Sequence, residues 1–341
     1  SHREDVMAVK IAVIGAGSWG TTLGNLLARK GHAVHLWVRE EEVLKEIQRE
    51  KRNSPFMPGS DLDPRLNAVG TFEEAIKGKQ IVVVAVPSHV FRDILQGMEP
   101  HLDPGMMLVA ATKGIENDSC MIMSEVAVDV LGDRHMDGFA CLAGPSFARE
   151  VIRDLPTAVT IACPDLAAGR RLQRVFSTEA FRVYATGDLV GVQLAGALKN
   201  VIAIGAGASD GLGFGSNARA ALITRAIAEI TRLGAAKGAN PRTFAGLAGI
   251  GDLVLTCTGD LSRNRSVGLK IAEGKRLEDI EGSTAMVAEG VRTARSVHEL
   301  SKRMRVEMPI AEQVYRILHE GKDPGQAVRD LMGRELKAEE D

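Results

Sequence analysis

The segment Gly15-Ala16-Gly17-Ser18-Trp19-Gly20 constrains this chain more than any other. It follows a short β-type run, Lys10-Ile14, and opens a helical run to Arg29, the strand-to-helix setting that a G-x-G-x-x-G element requires. In that setting Gly15 permits the tight turn, Gly17 lets backbone approach a pyrophosphate, and Gly20 lets helix and strand pack closely. The helix N-terminus adds amide donors and positive potential. The spacing predicts a dinucleotide site rather than a merely structural turn.

The surrounding texture agrees with an α/β fold. Strand-like runs at Lys10-Ile14, Ala33-Val38, Gln80-Val86 and Met106-Ala111 alternate with amphipathic helical stretches, the pattern of a doubly wound parallel sheet. The unbroken apolar run Ile81-Val86 suits a strand covered on both faces. A loop at Asn53-Pro64, with three prolines and two aspartates, interrupts the alternation. Phe139-Leu142, Thr157-Ala162 and Phe181-Tyr184 are read as extensions of the same sheet. From Asp188 onward helical patterns dominate: Leu189-Ser209, Asn217-Lys237, Pro241-Leu247, Ser262-Glu273, Val291-Met304 and Pro309-His319. A length of 341 residues exceeds what one hydrophobic core usually serves. We therefore expect a Rossmann-type dinucleotide-binding domain over 8–187 and an all-α substrate domain over 188–335.

Composition excludes some partners. A formal charge of -2 gives no reason to expect nucleic acid or an acidic membrane, so any anion site must come from local clusters. Cys120, Cys141, Cys163 and Cys257 form no C-x-x-C pair, and no His, Asp, Glu or Cys cluster has ligand spacing, so no metal is expected. Residues 1–10 lack an apolar h-region, which makes the cytoplasm the default location. The apolar stretch Val190-Ala208 is long enough to span a bilayer, yet it carries Gln193, Lys199 and Asn200 and reads as a buried helix.

Lys199 is the only charged residue between Val190 and Ser209. Burying an unpaired ammonium is costly, so such a lysine is paired, functional, or both. Desolvation would lower its pKa and ease proton donation to a developing alkoxide, while a structural lysine at a domain interface is the plainer alternative. Further on, Gly249-Ile250-Gly251-Asp252, Thr256 and Ser262-Arg263-Asn264-Arg265 gather small, acidic and basic groups. Asp252 is a candidate acceptor for Lys199, and two arginines beside a Ser262 N-cap would clamp a phosphate. Singly, each is equally readable as a salt bridge, a cap or a solvated face. After the second strand, Arg39 would pair with an NADP 2′-phosphate, whereas Glu40-Glu42 would favour an NAD ribose hydroxyl; the balance leans towards tolerance of NADP. His89 is a weaker proton-carrier candidate.

These blocks together resemble bacterial-type NAD(P)-dependent glycerol-3-phosphate dehydrogenases. The similarity runs in order through GAGSWGTTLGNLLA at 15–28, VPSHVFR at 86–92, ATKGIE at 111–116, LAGPSFAREV at 142–151, GALKNVIAIGAG at 196–207, GLAGIGDLVLTC at 246–257, SRNR at 262–265 and VAEGVRT at 287–293. The resemblance implies a Rossmann domain, a helical domain of the 6-phosphogluconate-dehydrogenase type, and a homodimer. It also implies interconversion of dihydroxyacetone phosphate and sn-glycerol 3-phosphate with NAD or NADP, feeding glycerophospholipid synthesis.

By the same resemblance, Ser18, Trp19, Arg39, Ala148, Val287 and Glu289 would line the cofactor beside Gly15, Gly17 and Gly20. Lys113 would lie where cofactor and substrate meet. Lys199 would be the catalytic lysine, with Asp252 and Lys113 assisting. Gly144, Ser146, Asp252, Ser262, Arg263 and Asn264 would form the substrate pocket, Arg263 also reaching the cofactor, with Thr256 and Asn200 in support. A related two-domain hydroxyacid or ketopantoate-type dehydrogenase is the enzyme alternative, and a non-catalytic nicotinamide sensor is another. The first would need a carboxylate clamp in place of SRNR; the second predicts disruption at Lys199, Asp252 or Arg263, all of which are present.

Overall fold

Alternate residues of the first and fourth strands bury into different layers: Ile11, Val13, Ile81 and Val83 into one core, Ala12, Ile14, Val82 and Val84 into another. That is the period-2 signature of strands covered on both faces. In a computed structural model that describes residues 7–282, 288–336 and 338–339, the sheet has eight strands: β1 (Lys10–Ile14), β2 (Ala33–Trp37), β3 (Asn67–Val69), β4 (Ile81–Val84), β5 (Met107–Ala110), β6 (Ala140–Ala143), β7 (Thr157–Ala162) and β8 (Phe181–Thr186). Their order is β3-β2-β1-β4-β5-β6-β7-β8. The first six follow the doubly wound dinucleotide-fold order.

Within and around this sheet run α1 (Ser18–Arg29), α2 (Glu41–Glu50), α3 (Phe72–Ile76), α4 (Phe91–Met98), α5 (Met123–Leu131), α6 (Ala148–Val151) and α7 (Leu166–Phe176). Two features differ from the sequence expectation. Strand β3 was hidden, because three residues after a proline-rich loop offer no periodic run. Strand β7 pairs antiparallel with β6, with Cys141 opposite Ala162, while every other pairing is parallel. Apolar alternation reports burial, not strand direction.

The helical half comprises α8 (Leu189–Gly211), α9 (Gly215–Ala236), α10 (Asp252–Thr258), α11 (Arg263–Ala272), α12 (Leu277–Gly282), α13 (Glu289–Met304), α14 (Pro309–His319) and α15 (Pro324–Met332). The helix expected at Pro241-Leu247 is a short 3-10 turn, Pro241–Ala245, capped by Asn240. Helix α8 is the axis: its most apolar window is 89% buried inside the protein, so it is a core helix here. Gln193 exchanges hydrogen bonds with Ser124 at 2.8 and 2.9 Å. Glycines let α11 lie backbone to backbone on α8. A Cβ at Gly207 would stand 2.0 Å from the Arg265 carbonyl, and one at Gly268 2.0 Å from that of Ile204. This contact seats the start of α11 beside the middle of α8.

Candidate active site

At the end of β1 the chain turns sharply at Gly15, whose φ is +108° and whose missing Cβ would clash with the Ala85 carbonyl at 2.7 Å. Gly20 sits against the Gly15 carbonyl, where a Cβ would fall at 1.9 Å. Gly17, by contrast, faces open space. It is the N-cap of α1 and provides no capping side chain. The amides of Ser18, Trp19 and Gly20 precede the first helical bond, Thr21 N to Gly17 O at 2.9 Å, so they are free to meet an anion. Trp19 Nε1 is shielded from solvent and donates to no acceptor among the described residues. Open space over Gly17, uncapped amides and an orphaned indole donor fit a dinucleotide. Ala148 opens α6, which contacts α1. Arg39 lies after β2, exposed, and its Nη2 is paired with Glu40 at 2.7 Å.

Lys199, in the middle of α8, donates from Nζ to Asp252 Oδ1 at 2.7 Å and to Thr256 Oγ1 at 2.9 Å. Lys113, from the loop after β5, donates to the other oxygen of the same carboxylate at 3.0 Å and to the Gly144 carbonyl at 3.2 Å. The Asp252 side chain is 1% exposed, so one buried carboxylate bridges two ammonium groups. Burial pushes Lys199 down to about 8, partly offset by Asp252 and reinforced by Lys113. For Asp252, burial acts upward, yet the two lysines together hold it below its ordinary value. The Thr256 hydroxyl lies 2.6 Å from the Asp252 backbone carbonyl and donates to it, which leaves its lone pairs for Lys199. An ammonium has three donors, and Lys199 commits two among the described residues. One proton remains for another acceptor.

Local backbone aims these groups. Leu247–Gly251 forms a π-type turn interrupted at Gly249 (ψ -106°), where a Cβ would lie 2.1 Å from the Phe244 carbonyl. Such turns interrupt a regular helix and re-aim the residues beyond them; here Asp252 is delivered at the first residue of α10. Gly144, with φ +137°, closes the loop after β6 and directs its carbonyl to Lys113 and to Ser146 Oγ, which donates at 2.9 Å. On α8, Gly196 leaves room for the Lys113 chain, whose Cγ would stand 3.7 Å from an added Cβ.

The start of α11 departs in part from expectation. Ser262 is the N-cap, accepting from Arg265 N at 3.2 Å. Arg265 is already engaged by Asp210 at 2.8 Å and Asp260 at 3.1 Å, so the expected two-arginine clamp reduces to Arg263. Arg263 is exposed and forms no hydrogen bond or ion pair among the described residues. The surrounding protein desolvates it and lowers its pKa, an effect that Glu289 opposes. Asn264 accepts from Gly290 N at 2.9 Å and donates to Asn200 Oδ1 at 3.0 Å, which joins α8, α11 and α13.

Glu289 receives both Ser88 N at 3.0 Å and Ser88 Oγ at 2.6 Å, linking α13 to the turn after β4. Burial raises its pKa against those bonds and the arginines nearby. Ser88 was not among the expected residues, and nothing in the sequence pairs it with Glu289, 201 positions away. Val287 lies outside the described residues. His89 is exposed and forms no hydrogen bond with Lys199 among the described residues; burial, Arg292 and Arg39 lower its pKa.

Two family models match this chain: NAD-dependent glycerol-3-phosphate dehydrogenase N-terminus over residues 10–169 and the corresponding C-terminus over residues 188–329. A glycerol-3-phosphate dehydrogenase [NAD(P)+] of Geobacter sulfurreducens is 56% identical over 333 residues, covering 98% of this chain and 99% of its own. Among solved structures, glycerol-3-phosphate dehydrogenase from Coxiella burnetii aligns with a TM-score of 0.91 at 40% identity, over 96% of this chain and 99% of that one. A 2-dehydropantoate 2-reductase from Geobacter metallireducens aligns at 0.58 with 16% identity, over 92% of this chain and 100% of that one, and shares the fold alone.

Proposed function

The chain belongs to the NAD-dependent glycerol-3-phosphate dehydrogenase family, and from that premise we propose that it interconverts dihydroxyacetone phosphate and sn-glycerol 3-phosphate. The observation that carries this reading is the buried Lys199–Asp252–Lys113 cluster, with one Lys199 proton uncommitted. The ketopantoate-type alternative is not favoured, because its relatives share only the fold.

Gly15, Gly17, Ser18, Trp19 and Gly20 would hold NAD or NADP with Ala148 and Glu289, and Arg39 would meet a 2′-phosphate after releasing Glu40. When bound, the reduced cofactor supplies the hydride that converts the C2 carbonyl to an alcohol. Lys199 donates its third proton to the carbonyl oxygen as negative charge develops there. Asp252 holds Lys199 in line and keeps its positive charge tolerable in a desolvated site. Lys113 adds positive potential from the opposite side of the carboxylate. Arg263, with the first amides of α11, takes the phosphate, so that binding energy away from the reacting carbon aligns it. Gly144, Ser146, Ser262 and Asn264 shape the substrate pocket around that geometry. In the reverse direction neutral Lys199 removes the hydroxyl proton.

The test is turnover at the nicotinamide absorbance band with dihydroxyacetone phosphate and NADH or NADPH. Lys199→Ala should lose roughly two to four orders of magnitude in kcat while cofactor binding persists. Near-normal turnover would remove Lys199 from the chemistry, and inactivity of the unaltered enzyme with both cofactors would reject the substrate. The same reading assigns residues 8–187 to cofactor and 188–335 to substrate. It also assigns a homodimer in the cytoplasm, with no membrane or nucleic acid partner, supplying glycerol 3-phosphate for glycerophospholipid synthesis. Sedimentation of the purified chain checks the dimer.

A further inference from the structure

We propose that Asn53 is a positioning residue for the dinucleotide, acting through the carbonyl of Ala16 in the glycine-rich turn. The inference rests on the cofactor reading proposed for that turn. The Ala16 carbonyl lies just before α1, and the first helical bond goes to Gly17 O instead. It therefore needs donor partners from elsewhere. Asn53 Nδ2 donates to it at 2.8 Å and to Thr21 Oγ1 at 2.8 Å, and Thr21 Oγ1 in turn donates to the same carbonyl at 3.1 Å. Asn53 and Thr21 are both fully buried. Asn53 Oδ1 meets no donor among the described residues, so there this side chain acts through its two N–H groups alone. Turning the amide over would set two acceptors against each other, which fixes its orientation.

The loop that carries Asn53 is anchored on several sides. Its ends are drawn together by Leu62 N to Lys51 O at 2.7 Å and by Arg52 Nε to Asp61 Oδ1 at 2.7 Å. Met57 N bonds back to Asn53 O at 2.7 Å, the Met57 side chain is buried, and Phe56 packs on the sheet core. Ser18 Oγ, at the first residue of α1, donates to Phe56 O at 2.9 Å. The loop thus grips the glycine-rich turn at Ala16 and at Ser18, the residues on either side of Gly17. Backbone amides bind a diphosphate more tightly when they converge on it before it arrives, because ordering them on binding subtracts from affinity. Asn53 holds that convergence without touching the open side of Gly17.

Asn53→Asp is the sharp variant, since it keeps the shape but replaces both donors with acceptors facing the Ala16 carbonyl. On the whole enzyme, nicotinamide fluorescence should report a rise of about tenfold or more in Kd for NADH and NADPH. At saturating cofactor, kcat and the KM for dihydroxyacetone phosphate should stay within about twofold, because Lys199 and Arg263 are untouched. Hydrogen exchange at the Gly17 and Ser18 amides should quicken. An unchanged cofactor Kd overturns the proposal. So do comparable rises in cofactor Kd and substrate KM together with a matching fall in kcat, which is the mark of a general loss of structure. If Asn53→Asp does not fold, Thr21→Val removes the carbonyl's other bond and is read the same way; failure of both to fold also overturns it. If the unaltered enzyme binds neither cofactor, the cofactor reading itself fails.

Discussion

Lys199 illustrates how burial and a partner together tune an ammonium group. Its pKa is lowered to about 8, by burial first, so the ammonium form predominates at neutral pH and still gives up its proton readily. Carbonyl reduction requires that form. We expect log kcat/KM for dihydroxyacetone phosphate to be level below about pH 8 and to fall as pH rises through it, with the oxidative direction showing the opposite limb. Asp252→Asn removes the carboxylate that raises the Lys199 pKa, so the limb should move to lower pH. A reductive profile level to pH 10 would count against Lys199 as the acid. Lys199 was legible because it is the one charge in an apolar stretch, and Asp252 because it ends a glycine turn. Other contacts were not legible. Lys113 meets Asp252 across 139 positions, and only the fold shows that Arg265 is taken by Asp210 while Arg263 stays uncommitted.

At the level of elements, the helical half is tied together by a buried acid. Glu229 of α9 is 2% exposed and accepts from the Ile310 and Ala311 amides at 2.8 and 3.3 Å, capping the start of α14. Burial pushes its carboxyl up to about 7, against those amide bonds. An acid raised on folding binds protons more tightly in the native state. Its favourable effect is therefore complete below the unfolded value and is lost as pH rises through about 7. Stability of the unaltered protein from urea unfolding should fall relative to Glu229→Gln between pH 4.5 and pH 7, by at most about 3 kcal/mol, and run parallel above. Parallel curves throughout would show that Glu229 is ionised at no cost. Elements were read from sequence to the extent that periodicity carries them. The long α8 and the first strands declared themselves; β3 was too short to do so, and the turn at Leu247–Gly251 obeys a pattern that neither period 2 nor period 3.6 describes.

In the whole molecule, two halves that read separately along the chain meet at paired groups: Lys113 with Asp252 and Ser88 with Glu289. No local pattern announces such meetings, since each pairs residues from distant stretches of chain. They gather Lys113 and Lys199 around a single bridging carboxylate, with Asn264, next to Arg263 in the chain, bound to the neighbour of Lys199 and Glu289 beside the neighbour of Lys113. Lys199, Lys113 and Arg263 outnumber the carboxylates that act on them, Asp252 and Glu289. A phosphate dianion would offset that positive excess. Sulfate has the same charge and shape, so it should inhibit competitively against dihydroxyacetone phosphate and lose potency in Arg263→Ala, whereas equal inhibition in that variant would place the anion elsewhere. By that charge balance we expect the resting enzyme to hold the commonest dianions of a buffer, and its apparent affinity for substrate to depend on which salt it is kept in.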